Sequence, residues 1–308
     1  MKDSTLWFFP LQEREIIGSC YNLHTGNKLS SVISKGKAAN EITSLSSFHI
    51  IGDSIQLHTY PNTIKCFAIK DIENNIPMGE RKFTQTTAPD SILVSQMIKL
   101  PNGSVLATIQ PSYVLGIPQE TVSDFNQKSV ALFNSNKANA YETIDYESFG
   151  VEEMAYELTS KELIKENYAN GNTGIKNSQK AVFSVNNQFM LYTFDITNGK
   201  VIHEKRYTKM QRDKSTGGIH RDLDITLMKT NSQYILCEVN GYFNEKDKEN
   251  RLSKEAIFVF DWDLNPIKKF ELPKRENGYY TISNDCNAAY FCEFNEEGLT
   301  LYKADLNI

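Results

Sequence analysis

The chain has 308 residues, of which 40% are hydrophobic, 11% are aromatic and 23% are charged, and its net charge is -5. This composition is typical of a globular protein with a hydrophobic core, and it excludes a general nucleic-acid binder, which would need a basic surface to attract phosphates. It also predicts no membrane span, because no stretch approaches the ~18 consecutive apolar residues that a spanning helix needs.

Short segments of strand length follow one another along most of the chain, separated by polar turns rich in Asn, Asp and Gly. Each repeat is predicted to end in a pair of strands joined by such a turn. The first strands of these pairs are 16–21, 63–69, 129–133, 189–194, 256–261 and 299–304. The second strands are 28–33, 80–84, 141–145, 200–207 and 267–272, so the last pair has no second strand.

Further strand pairs precede these in four of the repeats. They are 48–51 with 55–60, 97–100 with 105–109, 225–228 with 234–239, and 279–283 with 288–294. The fourth repeat lacks one clear strand before Ala181, and the first lacks its innermost strand. Six repeats of about 50 residues predict an all-β chain folded as a six-bladed β-propeller, with five or seven blades as the alternatives.

One segment has a different periodicity. Between 148 and 168, apolar residues recur at helical spacing with Glu and Lys between them, and Asn170 and Gly171 follow. This pattern predicts a short helix near residues 150–168. We interpret it as an insertion between the third and fourth blades of a single domain that covers residues 1–308.

The two ends of the chain leave one pairing open. Segment 5–10 has the composition of a strand, and so does the unpartnered segment 299–304. The first segment either lies beside the last one, which would cover its edge, or forms a hairpin with 16–21. The sequence supports both pairings.

The five cysteines are odd in number and include no C-x-x-C pair. Cys66, Cys237 and Cys292 lie within apolar strand patterns. This arrangement favours buried free thiols over a disulfide framework or a zinc site.

The linker Gly36-Lys-Ala-Ala-Asn-Glu41 resembles that of a known family. The family is that of the TolB-like six-bladed β-propeller proteins of Bacteroidetes, many of them exported lipoproteins of unknown function. Their first blade tends to end in a Gly-rich linker with a Pro and a Glu. Gly36 and Glu41 match this outline, whereas Ala38 and Ala39 replace the second Gly and the Pro. The resemblance implies the fold and an exported location, and it carries over no catalytic residue.

The chain as written begins without a signal peptide, because the apolar segment Leu6–Leu11 is short and acidic and basic residues follow it at once. The sequence by itself therefore predicts a cytoplasmic location, and the resemblance supplies the exported or periplasmic alternative.

The connections between blades are the predicted binding surface, because in a propeller they emerge together on one face. The segment 208–223 has four basic and two acidic residues in a chain that is acidic as a whole, and such a local field attracts anions. The predicted binding residues are Lys35, Glu41, Arg212, His220, Arg221, Asp222 and Arg275. They predict a non-enzymatic binding scaffold, without a cofactor, for a small anionic, carbohydrate or peptide ligand or for a protein partner.

The alternative function is that of a Ca²⁺-dependent hydrolase or lactonase with carboxylates at the propeller axis. Calcium prefers several oxygen ligands, and the candidate ligands from different repeats are Glu41, Asp90, Asp222 and Asp285. No P-loop, G-x-S-x-G, H-E-x-x-H or dinucleotide-binding motif occurs. The sequence therefore predicts no catalytic residue.

Overall fold

The computed structural model describes residues 5–9, 15–59, 62–88, 94–109, 130–134, 137–141, 171–185, 189–207, 211–212, 219–220, 223–243, 254–272, 278–295 and 298–308. Nearly all of the regular structure in these residues is β-strand. Their helical part consists of α1 (Ile69–Glu73) and the 3-10 helix Met78–Glu80. The predicted helix near 150–168 lies outside the described residues.

Over the described residues, the strands form six antiparallel sheets of three or four strands and one two-stranded hairpin. Within each sheet the strands follow chain order. The first sheet contains β1 (Thr5–Phe8), β2 (Ile16–Asn22) and β3 (Lys28–Ser34). The second contains β4 (Ser47–Ile51), β5 (Ser54–Thr59), β6 (Thr63–Ala68) and β7 (Phe83–Thr87). The third contains β8 (Val94–Lys99), β9 (Val105–Ile109), β10 (Val130–Asn134) and β11 (Lys137–Tyr141).

The later sheets follow the same plan. The fourth contains β12 (Thr173–Ile175), β13 (Lys180–Val185), β14 (Met190–Asp195) and β15 (Val201–Arg206). The hairpin of β16 (Gln211–Arg212) and β17 (Ile219–His220) comes next. The fifth sheet contains β18 (Leu223–Thr230), β19 (Ile235–Gly241), β20 (Lys254–Phe260) and β21 (Pro266–Leu272). The sixth contains β22 (Gly278–Ile282), β23 (Ala288–Asn295) and β24 (Gly298–Asp305).

The chain divides into two compact units. The first holds Met1–Ile109 and Ala131–Asn139 and includes nearly all of the first three sheets, and the second holds Ala140–Ile308 with the last three. A single domain over residues 1–308 stays a prediction.

The second strand of a sheet is more deeply buried than the last strand. The second strands β5 and β19 each have five consecutive buried residues, whereas β21 is mostly exposed. A strand covered on both faces needs a continuous apolar run, while a strand at the edge of a sheet tolerates alternation with charged residues. The last strand β21 therefore lies at the surface of the fifth sheet.

The hydrophobic core consists of layers between successive sheets within each unit. In the first unit, Ile17 and Val32 of the first sheet pack with Ile55 and Leu57 of the second. In the second unit, one cluster joins the fourth sheet to the fifth, and another joins the fifth sheet to the sixth. In these three layers, a sheet buries apolar residues against the next sheet in the chain.

Polar contacts also tie neighbouring sheets together. The buried Gln56 side chain donates from Nε2 to the Lys99 carbonyl (2.8 Å) and accepts at Oε1 from the Lys99 N–H (2.7 Å), which joins the second and third sheets. The buried guanidinium of Arg81 donates to the carbonyls of Ile76, Ser31 and Val32 at 2.6–2.8 Å. These side chains satisfy backbone groups that the sheets leave unpaired.

The structure decides the pairing of the first strand. β1 pairs antiparallel with β2, from Thr5 opposite Asn22 to Phe8 opposite Ser19. The pairing of 5–10 with 299–304 is therefore wrong.

Three local predictions also differ from the structure, namely those for residues 69–84, for the strand before Ala181 and for 141–145. The segment after 63–69 was predicted as a polar turn followed by a strand at 80–84, but it contains α1 and the 3-10 helix before β7. The apolar residues Ile69 and Ile72 of α1 are buried in the core of the first unit. The strand that the fourth repeat lacked is β12, only three residues long.

The strand predicted at 141–145 corresponds to β11, which begins at Lys137. Strand boundaries depend on pairing with a neighbour, which the composition of one segment does not specify.

Candidate functional site

A groove of about 440 Å³ lies between β21 of the fifth sheet and the strands β23 and β24 of the sixth. Its walls are mostly apolar. The apolar residues are Phe270, Leu272, Ala289, Phe291, Tyr302, Ala304 and Leu306. The charged residues that complete the lining are Glu271, Lys303 and Asp305.

Strand alternation builds one wall of the groove. Phe291 lies opposite Tyr302, and Ala289 lies opposite Ala304, in the antiparallel pairing of β23 with β24. Directly opposed residues share a face of the sheet, and every second residue of a strand lies on the same face. These four side chains therefore form one apolar face, on which the rings of Phe291 and Tyr302 stack with centroids 5.8 Å apart.

The opposite wall comes from the end of β21. Phe270 and Leu272 are partly buried and pack against the core cluster between the fifth and sixth sheets, which includes Leu306. The groove is the outer, solvent-exposed part of this inter-sheet layer. Tyr302 is 51% exposed, so an aromatic ring is available to a ligand at the surface.

The charges at the groove are arranged in local pairs. Lys303 lies 2.7 Å from Asp305, and Lys269 lies 3.1 Å from Glu271. The hydrogen bond and the charge of Asp305 raise the pKa of Lys303 above its ordinary value. Lys268 donates to the carbonyl of Asn307 and lies 5.1 Å from the ring of Phe270. The groove therefore combines an apolar interior with charged groups at its margin.

Two of the residues predicted to bind a ligand lie in the linker between β3 and β4. Lys35 pairs through its backbone with Ile42. The carboxylate of Glu41 accepts a hydrogen bond from the Ala38 N–H (2.9 Å) and fills the space that a Cβ on Gly36 would need. Glu41 thus stabilises its own linker.

The buried side chain of Lys65 holds the same linker. Its ammonium donates to the carbonyls of Ala39 (2.6 Å) and Glu41 (2.5 Å) and lies 5.3 Å from the ring centroid of Phe83. Burial lowers the pKa of Lys65, against the opposing effect of the Glu41 charge. The sequence carries no signal for this role, because the contact joins a strand residue to a linker 24 and 26 positions earlier in the chain.

The other predicted binding residues follow the fourth sheet or the fifth. Arg212 and His220 lie on the two paired strands of the β16–β17 hairpin, where Gln211 is opposite His220 and Arg212 is opposite Ile219. The hairpin thus brings Arg212 and His220 onto neighbouring strands. Arg221, Asp222 and Arg275 lie outside the described residues.

One of the alternative calcium ligands lies in a turn inside a sheet. Asp285 is between β22 and β23, and its carboxylate accepts from Ser283 Oγ (2.6 Å) and from the backbone and side-chain amides of Asn287 (both 3.0 Å). Burial raises the pKa of Asp285, but these hydrogen bonds outweigh it and lower the pKa below its ordinary value. This arrangement is that of a turn-stabilising side chain.

Asp285 and Glu41 belong to connections of different kinds. Asp285 lies in a turn between two strands of the sixth sheet, whereas Glu41 lies in the linker between the first and second sheets. Asp90 and Asp222 lie outside the described residues. Within the described part of the chain, no group of three or more His, Cys, Asp or Glu side chains has the geometry to hold a metal ion.

The described cysteines Cys20, Cys66, Cys237 and Cys286 are free thiols. Burial raises the pKa of Cys20 and of Cys286 to about 12 in each case. These two thiols therefore stay protonated at neutral pH and are poor nucleophiles.

The groove was not predicted from the sequence. The signals available were the alternation of Tyr302, Ala304 and Leu306 in the last segment and the partnerless strand predicted there. The sequence does not indicate that Phe270 and Leu272 lie opposite that face.

No protein family model matches the chain, and no curated protein is similar to it. Solved structures are similar over nearly its whole length. A structure from Bacteroides fragilis, described as that of an exported protein, is 10% identical, with 99% of this chain and 96% of that chain covered and a TM-score of 0.52.

Two further structures are more distant. Hydrazine synthase from Kuenenia stuttgartiensis is 9% identical, with 97% of this chain and 73% of that chain covered and a TM-score of 0.47. The Dos1 propeller is 10% identical, with 97% and 65% covered and a TM-score of 0.41. At these identities the similarity concerns the fold alone, and of these three structures the one from Bacteroides fragilis has a TM-score high enough to bear on it.

A fold does not by itself determine a function, which has to be argued from the site. In the described residues, no helix is long and apolar enough to cross a membrane.

Proposed function

We propose that this protein is a non-enzymatic binding protein with the six-bladed β-propeller fold of the TolB-like proteins. Six sheets of three or four antiparallel strands, one after another along the described chain, support this blade count. The ligand is one with an apolar body and an anionic group.

The observation that carries the proposal is the groove between β21 and β24. Its volume of about 440 Å³ falls within the usual range for ligand pockets, which are mostly apolar with a few polar groups. The apolar body of the ligand packs between Phe270 and the stacked rings of Phe291 and Tyr302. The anionic group lies at the margin, near Lys268, whose ammonium is 5.1 Å from the ring of Phe270.

The charged groups of the groove support binding over catalysis. General acid–base catalysis needs titratable groups whose pKa values are shifted towards neutrality, and hydrolysis needs an activated nucleophile or a bound metal. Lys303 and Asp305 are paired with each other instead, and the pairing moves the pKa of Lys303 away from neutrality.

The connections between sheets are a second part of the same proposal. Each on the connection to which it belongs, Lys35, Arg212, His220, Arg221 and Arg275 are proposed to attract anionic ligands. The β16–β17 hairpin supports this part, because it places Arg212 and His220 on adjacent strands.

Binding of anilinonaphthalene sulfonate tests the proposal, because this fluorescent probe has an apolar body and an anionic group. We expect it to bind the wild-type protein, and we expect Ala304→Trp, which fills the groove, to abolish most of the binding. Ile267→Ser is the matched control, since Ile267 is a 46% exposed apolar residue of β21 outside the groove lining. Equal binding by Ala304→Trp and the wild type would overturn the proposal.

The rival proposal is the Ca²⁺-dependent hydrolase with ligands among Glu41, Asp90, Asp222 and Asp285. Thermal unfolding with Ca²⁺ and with a chelator separates the two proposals. A rise in the melting temperature with Ca²⁺ that the chelator reverses, together with hydrolysis of a lactone, would favour the rival. The carboxylates of Glu41 and Asp285 are already used within their own turns, and we therefore expect no such rise.

A further inference from the structure

The sixth sheet has a long strand at its edge. Its order is β22, β23, β24, and among the described residues β24 pairs with β23 alone. The second, third, fourth and fifth sheets each have four strands. β24 is eight residues long, and a strand of this length with one free side is a template for pairing with another chain.

Hydrogen bonding identifies the backbone groups on the free side of β24. The N–H of Leu306 donates to the carbonyl of Asn287 at 2.7 Å, so residue 306 bonds towards β23. Successive residues of an antiparallel strand alternate between the two sides. The backbone N–H and carbonyl groups of Leu299, Leu301, Lys303 and Asp305 therefore point away from β23.

The side chains of β24 are charged on one face of the sheet. Lys303 and Asp305 are exposed, and they share the face opposite to Tyr302 and Ala304. On this face, the basic residue Lys303 is followed two positions later by the acidic residue Asp305. An antiparallel strand complements it when an acidic residue lies opposite Lys303 and a basic residue lies opposite Asp305.

The strand that fulfils this requirement is β24 itself. When two copies pair antiparallel with Ala304 opposite Ala304, Lys303 of each copy lies opposite Asp305 of the other. Both residues have outward backbone groups, so each of these pairs exchanges main-chain hydrogen bonds. Pairing centred on Lys303 would place like charges opposite one another, and pairing centred on Tyr302 would place Lys303 opposite Leu301.

We propose that the free edge of β24 is a homodimer interface, in which two copies pair antiparallel about Ala304. The interface is isologous, since the same patch serves both copies, which is the commonest symmetry of soluble oligomers. Pairing joins two three-stranded sheets into one of six strands. This interface goes beyond the proposed ligand binding.

Sedimentation velocity over a range of protein concentrations tests the proposal. We expect a concentration-dependent dimer for the wild type. Lys303→Asp and Asp305→Lys should each weaken the dimer by about tenfold or more, because two opposite-charge pairs become two like-charge pairs. Both residues are exposed, so each variant should fold, which its far-ultraviolet circular dichroism and thermal unfolding check.

Mixing the variants gives the decisive outcome. The edge of Lys303→Asp is acidic at both positions and that of Asp305→Lys is basic at both, so an equimolar mixture should form heterodimers. The double variant Lys303→Asp/Asp305→Lys should dimerise again by itself. Lys303→Pro should be monomeric, because it removes an outward N–H and leaves the pairing with β23 intact.

Two results would overturn the proposal. One is a wild-type protein that stays monomeric at all concentrations. The charges of Lys303 and Asp305 would then prevent the edge strand from pairing with another chain, as charges on edge strands do in other proteins. The other is a dimer whose stability does not respond to the charge changes or to Lys303→Pro, which would place the interface elsewhere.

Discussion

The carboxylate of Glu41 fills the space beside the Cα atom of Gly36 and accepts a hydrogen bond from the N–H of Ala38. These two residues are the ones on which the resemblance to the TolB-like linker rests. Their contact gives the pattern a physical reason: only a residue without a Cβ leaves room for the carboxylate to cap the linker.

Replacement of Gly36 by Ala should therefore destabilise the first unit through Glu41. A Cβ at this position displaces the carboxylate and breaks its hydrogen bond to Ala38, which costs about 1–3 kcal/mol in the free energy of unfolding. Urea denaturation measures this difference. Gly79→Ala is the control, because a Cβ there meets no atom within 4 Å. In the background of Glu41→Ala the effect of Gly36→Ala should largely disappear, and two additive effects would contradict the mechanism.

Gln56 should be essential to the contact between the second and third sheets. Gln56→Leu keeps the size of the buried side chain but leaves both the N–H and the carbonyl of Lys99 without the partners seen at 2.7 and 2.8 Å. We expect a loss of about 2–4 kcal/mol, since two partly buried backbone groups lose their hydrogen bonds. The same change at the exposed Gln85 of β7 should be neutral within about 0.5 kcal/mol. Equal stabilities of the two variants in urea denaturation would refute this role.

Gly18 should fix the first strand to its sheet. Its φ is +88°, and the ring of Phe9 occupies the space that a Cβ would need, while the same ring lies 4.2 Å from that of Phe48. Gly18→Ala should cost roughly 2–4 kcal/mol, from backbone strain and the displaced ring together. Gly26→Ala separates the two causes, because Gly26 has a φ of +69° with no atom within 4 Å of the added Cβ. A thermal-unfolding effect no larger at Gly18 than at Gly26 would show that the ring contributes nothing.

Asp285 should stabilise its turn only while it is ionised. Hydrogen bonds from Ser283 and Asn287 lower its pKa in the folded protein, against the effect of burial. A lowered pKa means that the carboxylate contributes stability above the ordinary Asp pKa of about 3.9 and loses it as the pH falls through the lower folded-state value. Asp285→Asn should therefore lower the melting temperature at neutral pH, and the gap to the wild type should narrow in acid. A gap that is constant with pH would exclude this account.

The predicted elements matched the structure where the signal was local. The strands predicted at 48–51, 105–109 and 267–272 correspond to β4, β9 and β21 within one residue at each end. The apolar runs and the Asn, Asp and Gly turns that define them lie within a few residues of one another. The helix α1 was missed because five residues are too few for a helical period, and its burial depends on the core of the first unit.

The candidate site was harder to predict from the sequence than the fold. Glu41 and Asp285 were chosen as carboxylates on connections, but each has a hydrogen-bonded role within its own turn. The groove depends on Phe270 meeting Tyr302 across two sheets, 32 positions apart in the sequence. No pattern within one segment predicts that two residues so far apart in the sequence line the same groove.

The sequence alone determined that this chain is built from short strands in succession, because alternation, apolar runs and turn residues act between neighbours in the chain. Tertiary structure alone decided that β1 pairs with β2 and that the edge of β24 stays free of other described strands. It also decided that the groove opens beside β24, because pairing and packing between distant segments depend on which surfaces are left after the local elements have formed.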